Sequence, residues 1–216
     1  MKKIIILALL TLFIVTLPSC YTDTANNFSS FTIQIPVYFY DKSSNRKVPS
    51  LGYDFSNLYK YDEYKKNKER IDRAELFQFA FWVDSLVLPL NNKPFDPKVD
   101  EMIFDSIKYT LVLLKPKPGK SEESQNPFDF DLDTTFLPFN IGDFHNVKIS
   151  EYYKNPKHII NLPEDEAKKL SDALKSRPYF MIVSEYSRYQ NQPFDTTYIP
   201  YLEIRTDLVI RLTVNL

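Results

Sequence analysis

The chain has 216 residues with 27 Lys and Arg against 28 Asp and Glu, enough to bury one substantial core and too evenly charged for a nucleic-acid surface, which needs clustered cations to displace counterions. Three glycines rule out the Gly-rich loops that cradle phosphates or dinucleotides. Fifteen prolines and an aromatic content of 15%, mostly Tyr and Phe, point instead to many short turns between β-strands.

Residues 1–20 (MKKIIILALLTLFIVTLPSC) begin with Lys2 and Lys3 and continue as an apolar run from Ile4 to Leu17. That run suits the core of an export signal and is too short for a comfortable membrane span. Leu17-Pro18-Ser19-Cys20 resembles the lipobox of bacterial lipoproteins, in which the cysteine is acylated and becomes the first mature residue. Cys20 is also the chain's single cysteine, so no internal disulfide is available to it. The expected layout is a signal peptide over 1–19, the lipidated cysteine and a polar tether over 20–30, and one β-domain over 31–216. Cleavage before Cys20 leaves 197 residues carrying 25 Lys and Arg against 28 acids, a net charge of −3.

Phe31 to Asp41 alternates, with Phe31, Ile33, Ile35, Val37 and Phe39 on one face. Pro36 within it cannot donate a ladder hydrogen bond, so an edge strand or a bulge is expected. Lys42 to Phe55 reads as a polar connection. Asn57 to Asp72 reads as a helix capped by Ser56 or Asn57, with Leu58, Tyr61, Tyr64 and Ile71 near one face. Ala74 to Leu88 is a strongly apolar strand, bent near Asp84-Ser85, with Trp82 expected in the core. Ile103 to Leu114 is another, carrying Ile107, Tyr109, Leu111 and Leu113 in phase.

Lys115 to Asp131 is polar and turn-rich, and is expected to be a mobile loop. Short strands are predicted at Thr134 to Asn140 and at Val147 to Ile149. Pro163 to Lys175 is the clearest helix: acidic Glu164, Asp165 and Glu166 sit at its positive end, and Ala167, Leu170 and Leu174 form its apolar stripe. Tyr179 to Tyr186 reads as a central strand. In the last segment Leu202, Ile204, Leu208, Ile210, Leu212 and Val214 share one face and Glu203, Arg205, Asp207, Arg211 and Thr213 the other, the mark of an antiparallel sheet with one wet side. The predicted fold is a mainly β, antiparallel sandwich, immunoglobulin-like or jelly-roll, with two short peripheral helices. A Pro-Phe-Asp motif recurs at Pro94, Pro127 and Pro193, read as a repeated turn with the ring tucked under and the acid capping amides.

Chemistry-bearing patterns are sparse. Asp129, Asp131 and Asp133 alternate as in a calcium loop, but Thr134 and Asn140 stand where an EF-hand requires Gly and Glu, so a turn-forming run is expected. His145 and His158, the two histidines, lack zinc-ligand spacing. No nucleophile-elbow sequence is present, and no pair of acids stands out as a glycosidase dyad. No catalytic residue, metal or cofactor is therefore expected. Tyr186, Tyr189, Tyr198 and Tyr201 surround the 190–195 segment and form a candidate aromatic platform for sugar rings.

The chain resembles exported lipoproteins of Gram-negative bacteria, and in general style the aromatic-rich β-sandwich lipoproteins of the Bacteroidota. The likeness rests on residues 1–20 and on composition, and it carries over one functional residue, Cys20. With Tyr21 rather than Asp after the cysteine, it implies the outer membrane. The expected role is a non-enzymatic structural or interaction module of the envelope, held by lipid, touching an envelope protein through edge strands and the 115–132 connection. A carbohydrate-binding surface lipoprotein is the alternative.

Overall fold

A computed structural model describes residues 29–48, 50–89, 92–158, 162–188 and 198–216. Nine strands make up most of it: β1 (Ser30–Lys47), β2 (Ser50–Asn57), β3 (Ile71–Val87), β4 (Ile103–Pro116), β5 (Phe130–Leu132), β6 (Phe139–Lys148), β7 (Lys157–His158), β8 (Tyr179–Arg188) and β9 (Tyr198–Asn215). Three α-helical segments join them, α1 (Asp62–Asn67), α2 (Ile149–Tyr152) and α3 (Glu164–Ser176).

The pairing follows one rule. β1 pairs with β9, β2 with β8, β3 with β7, and β4 with β5 and β6, all antiparallel. The strands thus trace a long hairpin rolled on itself. Rolling adds the contacts β3 to β9 and β4 to β8 and gives two sheets, ordered β1-β9-β3-β7 and β2-β8-β4, with β6 and β5 sharing the far edge of β4. Nested first-with-last pairing distributed over two facing sheets is the jelly-roll arrangement of a β-sandwich. It decides between the two sandwich types left open by periodicity.

Alternation sets the core. Ile35, Val37 and Phe39 of β1, Leu202, Ile204, Leu208 and Ile210 of β9, and Phe79, Phe81 and Val83 of β3 meet Tyr109, Leu111, Ile182 and Tyr186 of the opposing sheet. Phe79 and Phe81 both pack on the Tyr109 ring, with centroids 4.9 and 5.4 Å apart. Residues 80–83 nevertheless break the simple count. β3 carries register shifts at Leu76/Gln78 and Val83/Ser85, the second coinciding with the expected bend. Trp82 is half-buried on the outer face rather than in the core.

Several local expectations are corrected. The 42–55 connection is largely strand: β1 runs on to Lys47 beside β9, and β2 follows as an edge strand against β8. The 57–72 helix is broken into a 3-10 turn (Leu58–Lys60), α1 and a second 3-10 turn (Lys68–Arg70). Asn57 does cap the first piece, its Oδ1 accepting from Tyr59 N at 3.0 Å. Of the strands predicted at 134–140 and 147–149, residues 134–138 form a turn, a single strand β6 takes in 139–140 and 147–148, and Ile149 opens α2. In α3, Leu170, Ala173 and Leu174 are buried while Ala167 is exposed.

The antiparallel course divides the ends of the sandwich cleanly. Ser29, Ile71, Asn57, Pro116, Tyr179 and Leu216 lie at one end, covered by α1, α3 and the 117–138 connection. Lys47, Ser50, Val87, Ile103, Lys148, Arg188 and Tyr198 lie at the other. Leu216 N donates to Ser29 O at 2.9 Å, and Leu58 N to Pro178 O at 2.9 Å, closing the first end.

Candidate functional site

The outer face of the β1-β9-β3-β7 sheet carries a cross-strand row of unusual composition. Register places Tyr40, Arg205 and Trp82 side by side on β1, β9 and β3, and Lys42, Glu203 and Ser85 in the next row. Adjacent strands lie roughly 4.8 Å apart, so the residues of each row are neighbours across the sheet. Arg205 Nη2 donates to Asp84 Oδ2 at 3.0 Å and to Glu203 Oε1 at 3.2 Å. Its guanidinium carbon sits 5.2 Å from the centroid of the Tyr40 ring. The bulge at Val83/Ser85 is what brings Asp84 to the guanidinium from the β3 side.

Glu203 is the pivot of the face. Its side chain is only 7% exposed although it points away from the core. Lys42 Nζ lies 3.2 Å from Oε1, and Tyr201 Oη donates to Oε2 at 3.2 Å. Burial by itself would raise this carboxyl, but Lys42, Tyr201 and Arg205 together hold it below the ordinary glutamate value. A buried charge with all its partners in place fixes the rotamers around it. Tyr38 and Tyr40 stand exposed beside this framework, so their rings present flat apolar surface next to oriented charged groups.

The second notable surface is the 117–138 connection. Asn57 Nδ2 donates to Glu122 O at 2.7 Å and Ser124 O at 2.9 Å, and Asn126 Oδ1 accepts from Phe128 N. Asp133 is buried and accepts from Thr135 N, Thr135 Oγ1 and Arg177 Nε. The expected mobile loop is thus fastened at both ends to the body of the sandwich. A groove of about 580 Å³ separates the 135–140 segment from Glu166, Lys169 and Asp172 of α3.

The sequence-predicted sites fare unevenly. Tyr186 is 1% exposed between the sheets, where its ring meets Tyr109 and Phe104. It cannot stack on a ligand, because counting by two along β8 from Phe180 and Ile182 puts it inside. Tyr198 is exposed, Tyr201 is committed to Glu203, and Tyr189 lies outside the described residues. Cys20 and the signal segment also lie outside them, as does the Pro193 copy of the Pro-Phe-Asp motif. Of the other two copies, Phe95 is tucked under and Asp96 caps Lys98 N, whereas Phe128 is exposed.

The three aspartates of 129–133 do not converge. Asp129 is bound by Ser124 Oγ and Lys120, Asp131 faces Lys117, and Asp133 holds Arg177. Among the described residues no three His, Cys, Asp or Glu side chains form a set able to hold a metal. His145 lies exposed beside Asp143 on β6, while His158 belongs to β7 in the opposite sheet. Tyr38, Tyr40 and Asp84 were not singled out by sequence. Glu203 and Arg205 were read as the wet face of β9, which is where they lie.

No protein-family model matches the chain, and no curated protein matches it. Several solved structures show a weak likeness to it. The capsid protein of BFDV, from a decameric assembly, is 10% identical, with a TM-score of 0.35 over 85% of this chain and 98% of that one. The tobacco necrosis virus protein is 9% identical, with a TM-score of 0.30 over 87% and 97%. VP1 of a trichodysplasia spinulosa-associated polyomavirus is 12% identical, with a TM-score of 0.30 over 87% and 96%. At these values the likeness assigns neither a family nor a role to the chain.

Proposed function

We propose that the chain is a non-enzymatic, lipid-anchored binding module of the bacterial cell envelope, attached at the outer membrane through Cys20. Its partner surface is the outer face of the β1-β9-β3-β7 sheet. One observation carries that choice of surface: the Tyr40-Arg205-Trp82 row, held in place by Glu203 and Asp84 and flanked by exposed Tyr38. Exposed rings beside pre-set charged groups lose little side-chain entropy on contact, which is the property of an effective interface centre.

The test is in-cell photo-crosslinking from positions 38 and 40, with mass spectrometry of the adducts and of the Cys20 peptide. A reproducible envelope-protein adduct on an acylated chain is the expected result. An unmodified Cys20 overturns the anchor, and crosslinking no stronger than from Val99 overturns the surface.

The carbohydrate reading also draws on this face, since Tyr38 and Tyr40 offer ring faces while Arg205 and Asp84 offer donors and acceptors for sugar hydroxyls. Glycan affinity lost in Tyr40→Ala and kept in Tyr53→Ala would favour it. Affinity unchanged in Tyr40→Ala, Tyr189→Ala, Tyr198→Ala and Tyr201→Ala removes it.

A further inference from the structure

Three exposed large apolar side chains belong to the 117–138 connection that covers the end of the sandwich where the chain enters from Cys20. Phe128 is 79% exposed, Leu137 85% and Leu132 54%. Neither tip is loose. Phe128 N is held by Asn126 Oδ1, and Phe128 O accepts from Lys117 Nζ at 2.8 Å. Leu137 follows the turn that Asp133 locks to Thr135 and Arg177. Apolar side chains held out on fastened turns are available to a surface that accepts them, and the position of the chain's entry decides which surface that is.

The approach of the chain identifies that surface. Cys20 and Ser29 are nine residues apart, which span at most roughly 30 Å when fully extended. Ser29 in turn is fixed at this end by the bond from Leu216 N. An acyl group on Cys20 therefore keeps this end, and not the opposite one, within a short tether of the bilayer. Lys65 and Lys66 of α1, and Lys117 and Lys120, stand around the same end among acidic neighbours, so headgroup contact is available without a strong net charge.

We infer that this end of the jelly roll lies against the lipid surface, with Phe128 and Leu137 inserted among the headgroups as a second, non-covalent attachment. The inference rests on the lipidation of Cys20. It places the β1-β9-β3-β7 face upright and open to a partner, and turns the opposite end, with Lys47, Val87 and Arg188, away from the membrane.

Because an acylated Cys20 has no free thiol, one added cysteine can carry a label without interference. The lipidated protein is prepared as Phe128→Cys, Leu137→Cys and Val99→Cys, the last at the far end where Val99 is 75% exposed. Each carries an environment-sensitive fluorophore and is reconstituted into phosphatidylethanolamine–phosphatidylglycerol vesicles. Flotation reports the anchor, and quenching by an aqueous ion reports the face. Floated protein quenched about fivefold more slowly at 128 and 137 than at 99 is the expected result, as for side chains seated some 5–10 Å deep in the interface. Floated protein quenched equally at all three sites overturns the inference, leaves the anchor standing, and gives the apolar tips to a protein partner. Protein that does not float overturns both.

Discussion

Arg177 donates from Nε to Asp133 Oδ2 at 2.9 Å, joining the C-cap of α3 to the residue that follows β5. Asp133 is buried, and its remaining oxygen accepts from Thr135. Burial opposes its ionisation, but Thr135 and Arg177 hold the carboxyl below the ordinary aspartate value. Asp133→Asn keeps the shape and loses the charge pair, and is expected to destabilise by about 1–3 kcal/mol. Urea unfolding at neutral pH measures it.

The same shift fixes the response to acid. A carboxyl with a depressed folded pKa stabilises fully above its unfolded value, near 4, and loses that contribution as the pH falls through its lower folded value. Asp133 and Glu203 both contribute in this sense. Stability is therefore expected to drop below about pH 4, and Asp133→Asn to flatten that drop. A series of denaturant midpoints between about pH 2 and 6 tests the sign.

Gly52 faces a close approach in the sandwich interior. A Cβ there would stand 2.4 Å from Ser184 Oγ and 2.6 Å from Asp41 Oδ2. Gly52→Ala is expected to cost about 1–3 kcal/mol through overpacking. Adding Ser184→Ala should recover part of the loss, and a double-mutant cycle in urea reads the coupling. Simple additivity would show that the crowding is relieved elsewhere.

Arg205→Ala removes the bond to Asp84 and one of three partners of Glu203. The Glu203 carboxyl is expected to titrate higher and the melting temperature to fall, while Lys42 and Tyr201 keep the carboxylate partly compensated. Carbon-detected titration of the Glu203 carboxyl follows the shift. An unchanged titration would mean that Lys42 alone sets its value.

Lipid attachment has its own check. Cys20→Ala is expected to move the protein from the membrane to the soluble fraction of cells and to abolish incorporation of labelled palmitate. Retention in the membrane fraction would assign the attachment to another part of the molecule.

The regular strands were readable because one face of each is apolar. β9, β4 and β8 announce themselves by alternation, and α3 by its acidic start and Leu170 and Leu174. β2 was not readable as a core strand, since its buried positions Gly52 and Ser56 are small or polar while the apolar side chains of its other phase, Leu51 and Tyr53, are exposed. Trp82 was misplaced because the run from Phe79 to Val83 is apolar in both phases and bulges shift the count. The Tyr40-Arg205-Trp82 row is a matter of register between strands more than a hundred residues apart in sequence, for which no local pattern exists. Tyr186 was legible in principle, from its parity with Phe180 and Ile182.

The pairing of Ser30 with Asn215 sets a timetable as well as a shape. β1 is the first of the described strands to be synthesised and its neighbour β9 the last, so the sheet cannot close before β9 has been made. Until β9 arrives, β1 and β3 both expose long unpaired edges, including Ile33, Ile35, Val37 and Phe39 in one register. Contacts this distant in sequence slow folding and lengthen the interval in which such edges can find another chain. Pro36, which cannot donate to a ladder, sits in the middle of that early strand and interrupts the edge while it waits.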